Sequence, residues 1–248
     1  MKKNIKKAQN TTDKVIIYGY HACMAALQNP KRKILKCLCT ADVAAKMNDK
    51  TKAKFQIVER KEIEKLVGGG AVHQGIVVVA LKLDDFNIDE LSDMLKDKDD
   101  CHVLILDQVT DPQNVGAIIR SAVAFDTTAL IMQDKNSPLE SGAMDKAAAG
   151  MVEHLPIVRV TNLSRAIERL KKEGFWIVGM DGYAKMMISE LKKGGKIAIV
   201  MGSEGKGMRH LIEENCDIAV KLPISEKTES LNVATAAAIA LYEISQKK

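Results

Sequence analysis

Several features that would place this chain quickly are scarce or missing. No apolar run approaches the roughly 20 residues needed to cross a bilayer. The N-terminal stretch MKKNIKKAQNTTDK is basic but lacks the apolar core of a signal peptide, so the expected location is the cytoplasm. The five cysteines (Cys23, Cys37, Cys39, Cys101, Cys216) form no C-x-x-C and have no histidine partner at zinc spacing. They read as reduced, buried thiols. The five histidines (His21, His73, His102, His154, His210) show no ligand spacing either, so no metal is expected. Neither G-x-G-x-x-G nor G-x-x-x-x-G-K-[ST] occurs, which disfavours a dinucleotide-dependent oxidoreductase or a P-loop enzyme. What remains is an ordinary globular composition, 46% hydrophobic and 28% charged over 248 residues, long enough for one large domain or two small ones.

The net charge of +5 hides an uneven distribution. Residues 1–82 hold 17 Lys and Arg against 6 Asp and Glu, residues 83–100 hold 2 against 8, and residues 101–248 hold 18 of each. A basic module, an acidic connector and a neutral larger module suggest a division of labour. Basic surface attracts polyanions, nucleic acid foremost.

The first module alternates in type. Strands are expected at 15–18, 34–39 and 55–58, helices at 19–27, 41–47 and 60–67, and a last apolar run at 76–81 after Gly68-Gly69-Gly70. It lacks the aromatic pairs of RNP-type sheets, so a grip on RNA would come from Lys, Arg and backbone. The domain boundaries that follow are a basic tail at 1–14, an α/β domain at 15–82, a charged linker at 83–100 and a second domain at 101–248. The linker contains a short amphipathic helix through Ile88, Leu91, Met94 and Leu95. In the second domain, strands at 103–106, 128–132, 175–179 and 196–201 alternate with helical stretches, the rhythm of a parallel sheet covered by helices. Ligands in such folds bind beyond the carboxyl ends of the strands.

Three loops lie there. In DQVTDPQNVGAIIRSA, residues 107–122, Asp111 caps a helix and Pro112 starts it. Val115, Ile118, Ile119 and Ala122 share its apolar face, and Asn114 sits in the first turn. Arg120 stands away from that face, with Gly116 one turn before it, an arrangement expected to leave open space before the guanidinium. The second loop, GSEGKGM at 202–208, surrounds Glu204 with glycines that allow close approach of a flat ligand. The third, ISEKTESLNVATAAAIALYE at 224–243, offers Ser230 as cap of a final helix, with Asn232 in its first turn and small apolar residues on almost every side.

Taken together, LDQVTDPQNVGAIIRSAVAF, IVMGSEGKGM and LPISEKTESLNVATAAAIALYE resemble the three motifs of the SpoU (TrmH-type) branch of the SPOUT RNA methyltransferases. In front of them, YGYHACMAAL and HQGIVV look like the L30e-like RNA-binding domain of the RlmB subgroup, whose members methylate the 2′-hydroxyl of a guanosine in large-subunit ribosomal RNA. The resemblance implies S-adenosyl-L-methionine as donor, a homodimer through the SPOUT domain and a C-terminal trefoil knot; no membrane partner is expected, given the lack of a long apolar run. It places Asn114, Arg120, Glu204, Ser230 and Asn232 in catalysis. Donor binding falls to Met201, Gly202, Gly205, Leu222, Pro223, Ile224, Ser230, Leu231 and Val233. Three residues depart from the family pattern: Asp126 stands where Gly is usual, and Ile224 and Glu226 replace Met and Gly beside the donor pocket. The family proposal makes the motif-one Arg a base; a phosphate clamp that polarises the hydroxyl is the alternative. A transfer-RNA 2′-O-methyltransferase and a non-catalytic RNA-binding or ribosome-assembly factor are the competing functions.

Overall fold

The structure is a computed structural model, and it describes residues 13–192 and 194–246. The basic tail expected at 1–14 lies, up to residue 12, outside the described residues. The first domain is built on β1 (Lys14–Tyr18), α1 (Tyr20–Gln28), β2 (Ile34–Cys39), α2 (Ala41–Ala44), α3 (Asp49–Lys52), β3 (Gln56–Ile57), α4 (Arg60–Val67) and β4 (Ile76–Leu81). Its sheet runs β1-β4-β2-β3, antiparallel except for the β2/β3 pair. Alternation along β1 sends Val15 and Ile17 into one core with Cys37 and Cys39, while Ile16 and Tyr18 pack on the other side with Leu38 and Ile63. The helix expected at 41–47 ends at Ala44 and continues as turns. All five cysteines are free, and burial pushes their thiols up, Cys216 to about 11.

The second domain carries α5 (Ile88–Leu95), β5 (Cys101–Leu106), α6 (Pro112–Ala124), β6 (Ala129–Gln133), α7 (Gly142–Ala147), β7 (Ile157–Val160), α8 (Leu163–Lys172), β8 (Trp176–Met180), β9 (Met186–Met187), β10 (Lys196–Met201), α9 (His210–Glu214), β11 (Ile218–Lys221) and α10 (Val233–Ser245). Seven strands pair in the order β7-β6-β5-β10-β8-β11-β9, every pair parallel. Residues on opposite faces of this sheet feed two cores. Leu104, Leu106 and Ile199 meet α6 and α10, and Val103, Ile105 and Val200 meet α5, α8 and α9. The acidic segment 83–100 is tied to this sheet. Asn87 and Glu90 cap α5 reciprocally, Leu91 and Leu95 are fully buried, and Phe86 bridges to Val158.

The two domains dock through buried charge. Arg32, whose side chain is wholly buried, donates to both carboxylate oxygens of Glu153, to the Leu81 carbonyl at 3.0 Å, and pairs with Glu140 at 2.7 Å. Asn29 adds a bond to Glu153 at 2.6 Å. Around this cluster the backbones are close: a Cβ on Gly142 would run into the Ile16 carbonyl and the Tyr18 ring. Asp145 lies beside it, buried, with neither carboxylate oxygen hydrogen-bonded among the described residues. Burial, then the nearby Glu140 and Glu153, raise its pKa well above the ordinary range.

Replacing Arg32 with Ala strands Glu140 and Glu153 without their cation, and is expected to cost about 3–5 kcal/mol in urea unfolding. Asp145 favours its protonated form in the fold, so the stability it contributes is present below pH ~4 and is lost as pH rises through the raised pKa. Asp145→Asn should therefore gain stability relative to the parent as pH increases across that window. Parallel unfolding curves for the two proteins from pH 4 to 8 would contradict this.

Candidate active site

Strands β5 and β10 lie side by side, yet the chain leaves β5 toward β6 on one side and β10 toward β11 on the other. The crevice beyond their carboxyl ends is the switch point of the sheet, where ligands of such folds sit. Asp107, the residue after β5, is fully buried there. Its carboxylate accepts from the backbone N–H and the Nε of Arg209, each at 2.8 Å, and Arg209 reaches on to Gln133 at the end of β6. These contacts bind the loops after three strands together. Asp107 and Arg209 escaped the sequence reading because they are 102 residues apart and neither stands in a recognisable spacing.

Asp111 caps α6 by accepting from Gln113 N at 3.0 Å, and Pro112 follows at the first helical position, as expected. Gly116 has a different role from the one expected of it. It is buried, and a Cβ there would strike the Met144 carbonyl and come within 2.7 Å of Ala147 Cβ. The missing side chain admits the backbone of α7 and does not open space for the guanidinium. Arg120 is exposed elsewhere on α6 and makes no hydrogen bond or ion pair among the described residues.

Asn114, Glu204 and Asn232 do converge. Asn232 Nδ2 donates to Glu204 Oε1 at 2.6 Å and to Asn114 Oδ1 at 2.9 Å; Asn114 Nδ2 donates to Glu204 Oε1 at 3.3 Å. The same oxygen accepts from Val233 N at 3.0 Å, which places a carboxylate on the N-terminus of α10. Asn232 is itself the cap of α10, accepting from Ala234 N and Thr235 N. The cap expected at Ser230 is thus corrected to Asn232, because the loop stays extended for two more residues. Ser230 is exposed and lines the cleft next to this cluster.

That cleft, about 660 Å³, lies between the loops after β8, β10 and β11. Met201, Gly202, Gly205, Leu222, Ile224, Ser230, Leu231 and Val233 line it; Pro223 does not. Its shape depends on a tight turn in which Ser203 and Gly207 exchange two backbone hydrogen bonds of 3.0 Å. A Cβ on Gly202 would collide with the Gly207 carbonyl carbon and the Met208 nitrogen, while Gly205 and Gly207 hold positive φ. One wall of the cleft, Met180 to Tyr183 after β8, was missed in the sequence reading. The signal was there, since this loop also follows a parallel strand. Volume, apolar walls at Met201, Leu222 and Leu231, and glycine-lined backbone fit a nucleoside-sized ligand. A second cleft, of about 570 Å³, opens between α6 and α10, lined by Asn114, Ala117, Asn232, Thr235 and Ala147 of α7. Asn114 and Asn232 therefore stand on the wall of one cleft and Glu204 on that of the other. Among the described residues no group of three His, Cys, Asp or Glu is placed to hold a metal, and no helix is long and apolar enough to cross a membrane.

The departures from the family pattern have structural readings. Asp126 takes φ 55°, a left-handed conformation that Asp tolerates better than most residues, so it fills a glycine position without needing Gly. Ile224 lines the cleft, whereas Glu226 is exposed and does not.

Known proteins match along both domains. The SpoU rRNA Methylase family model matches residues 102–242, and the model for RNA 2′-O ribose methyltransferase substrate binding matches residues 16–85. The chain is 38% identical over 240 residues to the 23S rRNA (guanosine-2′-O-)-methyltransferase RlmB of Coxiella burnetii, covering 94% of this chain and 95% of that protein. It is 34% identical to RlmB of Escherichia coli strain K12, over 92% and 96%. Among solved structures, the SpoU methyltransferase AviRb from Streptomyces viridochromogenes in complex with AdoMet superposes with a TM-score of 0.78 at 20% identity, covering 94% of this chain and 90% of that one. An AdoMet-bound rRNA methyltransferase from Sinorhizobium meliloti gives 0.77 at 23%, over 94% and 87%. With its second domain matched almost end to end and its relatives matched over nearly their full length, this chain belongs to the SpoU rRNA methylase family.

Proposed function

We propose that the chain transfers a methyl group from S-adenosyl-L-methionine to the ribose 2′-hydroxyl of a guanosine in large-subunit ribosomal RNA, in the cytoplasm. The observation that carries the reading is the Asn114–Glu204–Asn232 cluster, which stands between a nucleoside-sized cleft and an open one. The family and the RlmB relatives supply the substrate class. Residues 15–82 act as the RNA-binding domain, 83–100 connect it, and 101–248 perform the transfer with the knot expected of the family.

The donor is held by the backbone around Gly202, Leu222 and Leu231, with Met201, Gly205, Ile224, Ser230 and Val233 completing the pocket. It supplies a methyl already activated by a sulfonium. The protein's task is then to align a weak nucleophile and stabilise the charge it develops. Asn114, fixed through Asn232 and Glu204, holds the ribose on the outer side. Arg120, exposed and uncommitted, grips the phosphate and polarises the hydroxyl.

A homodimer completes the site. The α6/α10 face is lined by small residues and carries Ile239, 41% exposed, and Tyr242, 51% exposed, whose ring lies edge-on to Phe125. Covering this face by a second copy brings Arg120 of one chain to the surface of the other.

Incubation with labelled donor and separate pools of unmodified ribosomal and transfer RNA should label the ribosomal pool alone, at an alkali-resistant linkage. Label in transfer RNA would favour the alternative substrate, and none in either would favour a non-catalytic RNA-binding or assembly factor. Arg120→Ala should reduce single-turnover transfer at least ~100-fold, the size typical of losing one charge-stabilising group, with donor affinity unchanged by calorimetry. Ile239→Glu places a charge in the proposed interface, and sedimentation should show a folded monomer with little activity. An unchanged dimer would move the interface elsewhere.

A further inference from the structure

Two stretches of the first domain, Tyr18 to His21 and His73 to Gly75, have no part in the transfer chemistry, yet they meet at one place. Gln74 Oε1 accepts from Tyr20 N at 2.9 Å. The backbone there is tightly specified. Gln74 has φ 56° and Gly75 φ 73°, and a Cβ on Gly75 would come within 2.5 Å of Thr40 Oγ1. His73 is a buried post for this turn, with Nδ1 accepting from Gly75 N at 3.1 Å; burial, then the Arg60 charge, holds its imidazole below the ordinary pKa and so neutral. The outcome is a fixed platform that leaves Tyr20 and His21 outward, their rings edge to face with centroids 5.9 Å apart.

Besides the two histidines, residues 1–82 hold three aromatic side chains, Tyr18, Tyr20 and Phe55. Phe55 is buried in the core and Tyr18 packs on Gly142, so Tyr20, 38% exposed, is the ring a base could reach. Against the preceding residue, Gly19, lies Lys146 of α7. Its stem passes 3.5 Å from where a Gly19 side chain would begin, and its ammonium lies 6.0 Å from the Tyr18 ring centroid. Ala147, the next residue, lines the outer cleft with Asn114. Helix α7 therefore separates the platform from the proposed position of the target ribose by one helix diameter, ~10 Å.

We propose that Tyr20, His21, Gln74 and Lys146 form a seam that holds the single-stranded nucleotides flanking the target, with one base stacked on Tyr20 and a phosphate on Lys146. The partner is RNA: a stacking ring and a nearby cation suit a nucleotide strand, and the surrounding module carries 17 basic residues against 6 acidic ones. Gripping a neighbour on the first domain fixes which nucleotide reaches Asn114, so the seam sets register, and Tyr20 is a positioning residue. This rests on the transferase reading for its biological purpose, but its physical content is RNA binding and can be measured separately.

The test uses the full chain and overlapping in vitro transcribed fragments of large-subunit ribosomal RNA, with binding read by fluorescence anisotropy. Tyr20→Ala should weaken binding of the best fragment ~5- to 150-fold, the range for one lost stacked base, while Tyr20→Phe stays near the parent. Lys146→Met keeps the stem and should lower the slope of log K against log salt by about 0.7, one single-strand phosphate contact. In turnover the Tyr20→Ala loss should appear in the KM for RNA, with kcat and donor affinity preserved. Unchanged RNA affinity in both Tyr20→Ala and Lys146→Met, or equal loss in Tyr20→Phe and Tyr20→Ala, overturns the seam, as does a parent chain that binds no fragment. Weakened binding by a chain that transfers no methyl would keep the seam and discard the transferase reading.

Discussion

One carboxylate oxygen, Glu204 Oε1, ties the loops of the second domain together. It accepts from Asn114, Asn232 and the Val233 backbone, and the two asparagines are separated along the chain by 118 residues. These bonds join the starts of α6 and α10 to the loop after β10. That loop can reach them because Gly202 lets its ends close, and because Asp107 and Arg209 anchor the strand end beneath it. Adjacency of β5 and β10 in the sheet comes first, and the cluster is its consequence.

The same logic extends outward through α7. This six-residue helix touches α6 at Gly116 and the first domain at Gly142, so one wall serves both the cleft and the interdomain contact. Arg32 and its carboxylates hold that contact in a water-poor place, where ion pairs gain little net stability over apolar packing. Their contribution is orientational. A bidentate guanidinium with all of its partners fixed admits one geometry, and an apolar surface of the same area would tolerate sliding. For a two-domain methyltransferase, the orientation of one domain against the other is the quantity that matters.

Much of this was legible in the sequence for specific reasons. Long apolar runs gave β5, β8 and β10, turn chemistry gave the Asp111-Pro112 start of α6, and the glycines around Glu204 gave the position of the cleft. Strands β7 and β9 were missed, being four and two residues long with only moderate hydrophobicity. Ser230 and Asn232 are both good caps, and no local rule decides between them; the Glu204 contact does, through space. Gly116 was misread for a similar reason. A glycine on a helix face signals close approach, but the sequence does not say whether a ligand or another helix approaches. Asp107 was invisible because its partner is remote.

Arg120 stands exposed on α6 with no charged side chain beside it on that helix. A guanidinium is protonated at any working pH, and an exposed one has bulk water to keep it so. Serving as a base would require a site that strips away this solvation and adds cations, and the described neighbours on α6 are Gln113, Ala117 and Ala124, none of them charged. Serving as a fixed cation requires only that the side chain be free to engage a phosphate and an oxygen developing negative charge. A protonated arginine lowers the cost of that charge without accepting the proton itself. In the proposed mechanism, water held in the cleft between α6 and α10 takes the proton as the methyl arrives. The clamp therefore asks of this helix only what it already presents, and the base asks for an environment that the second copy would have to build entirely.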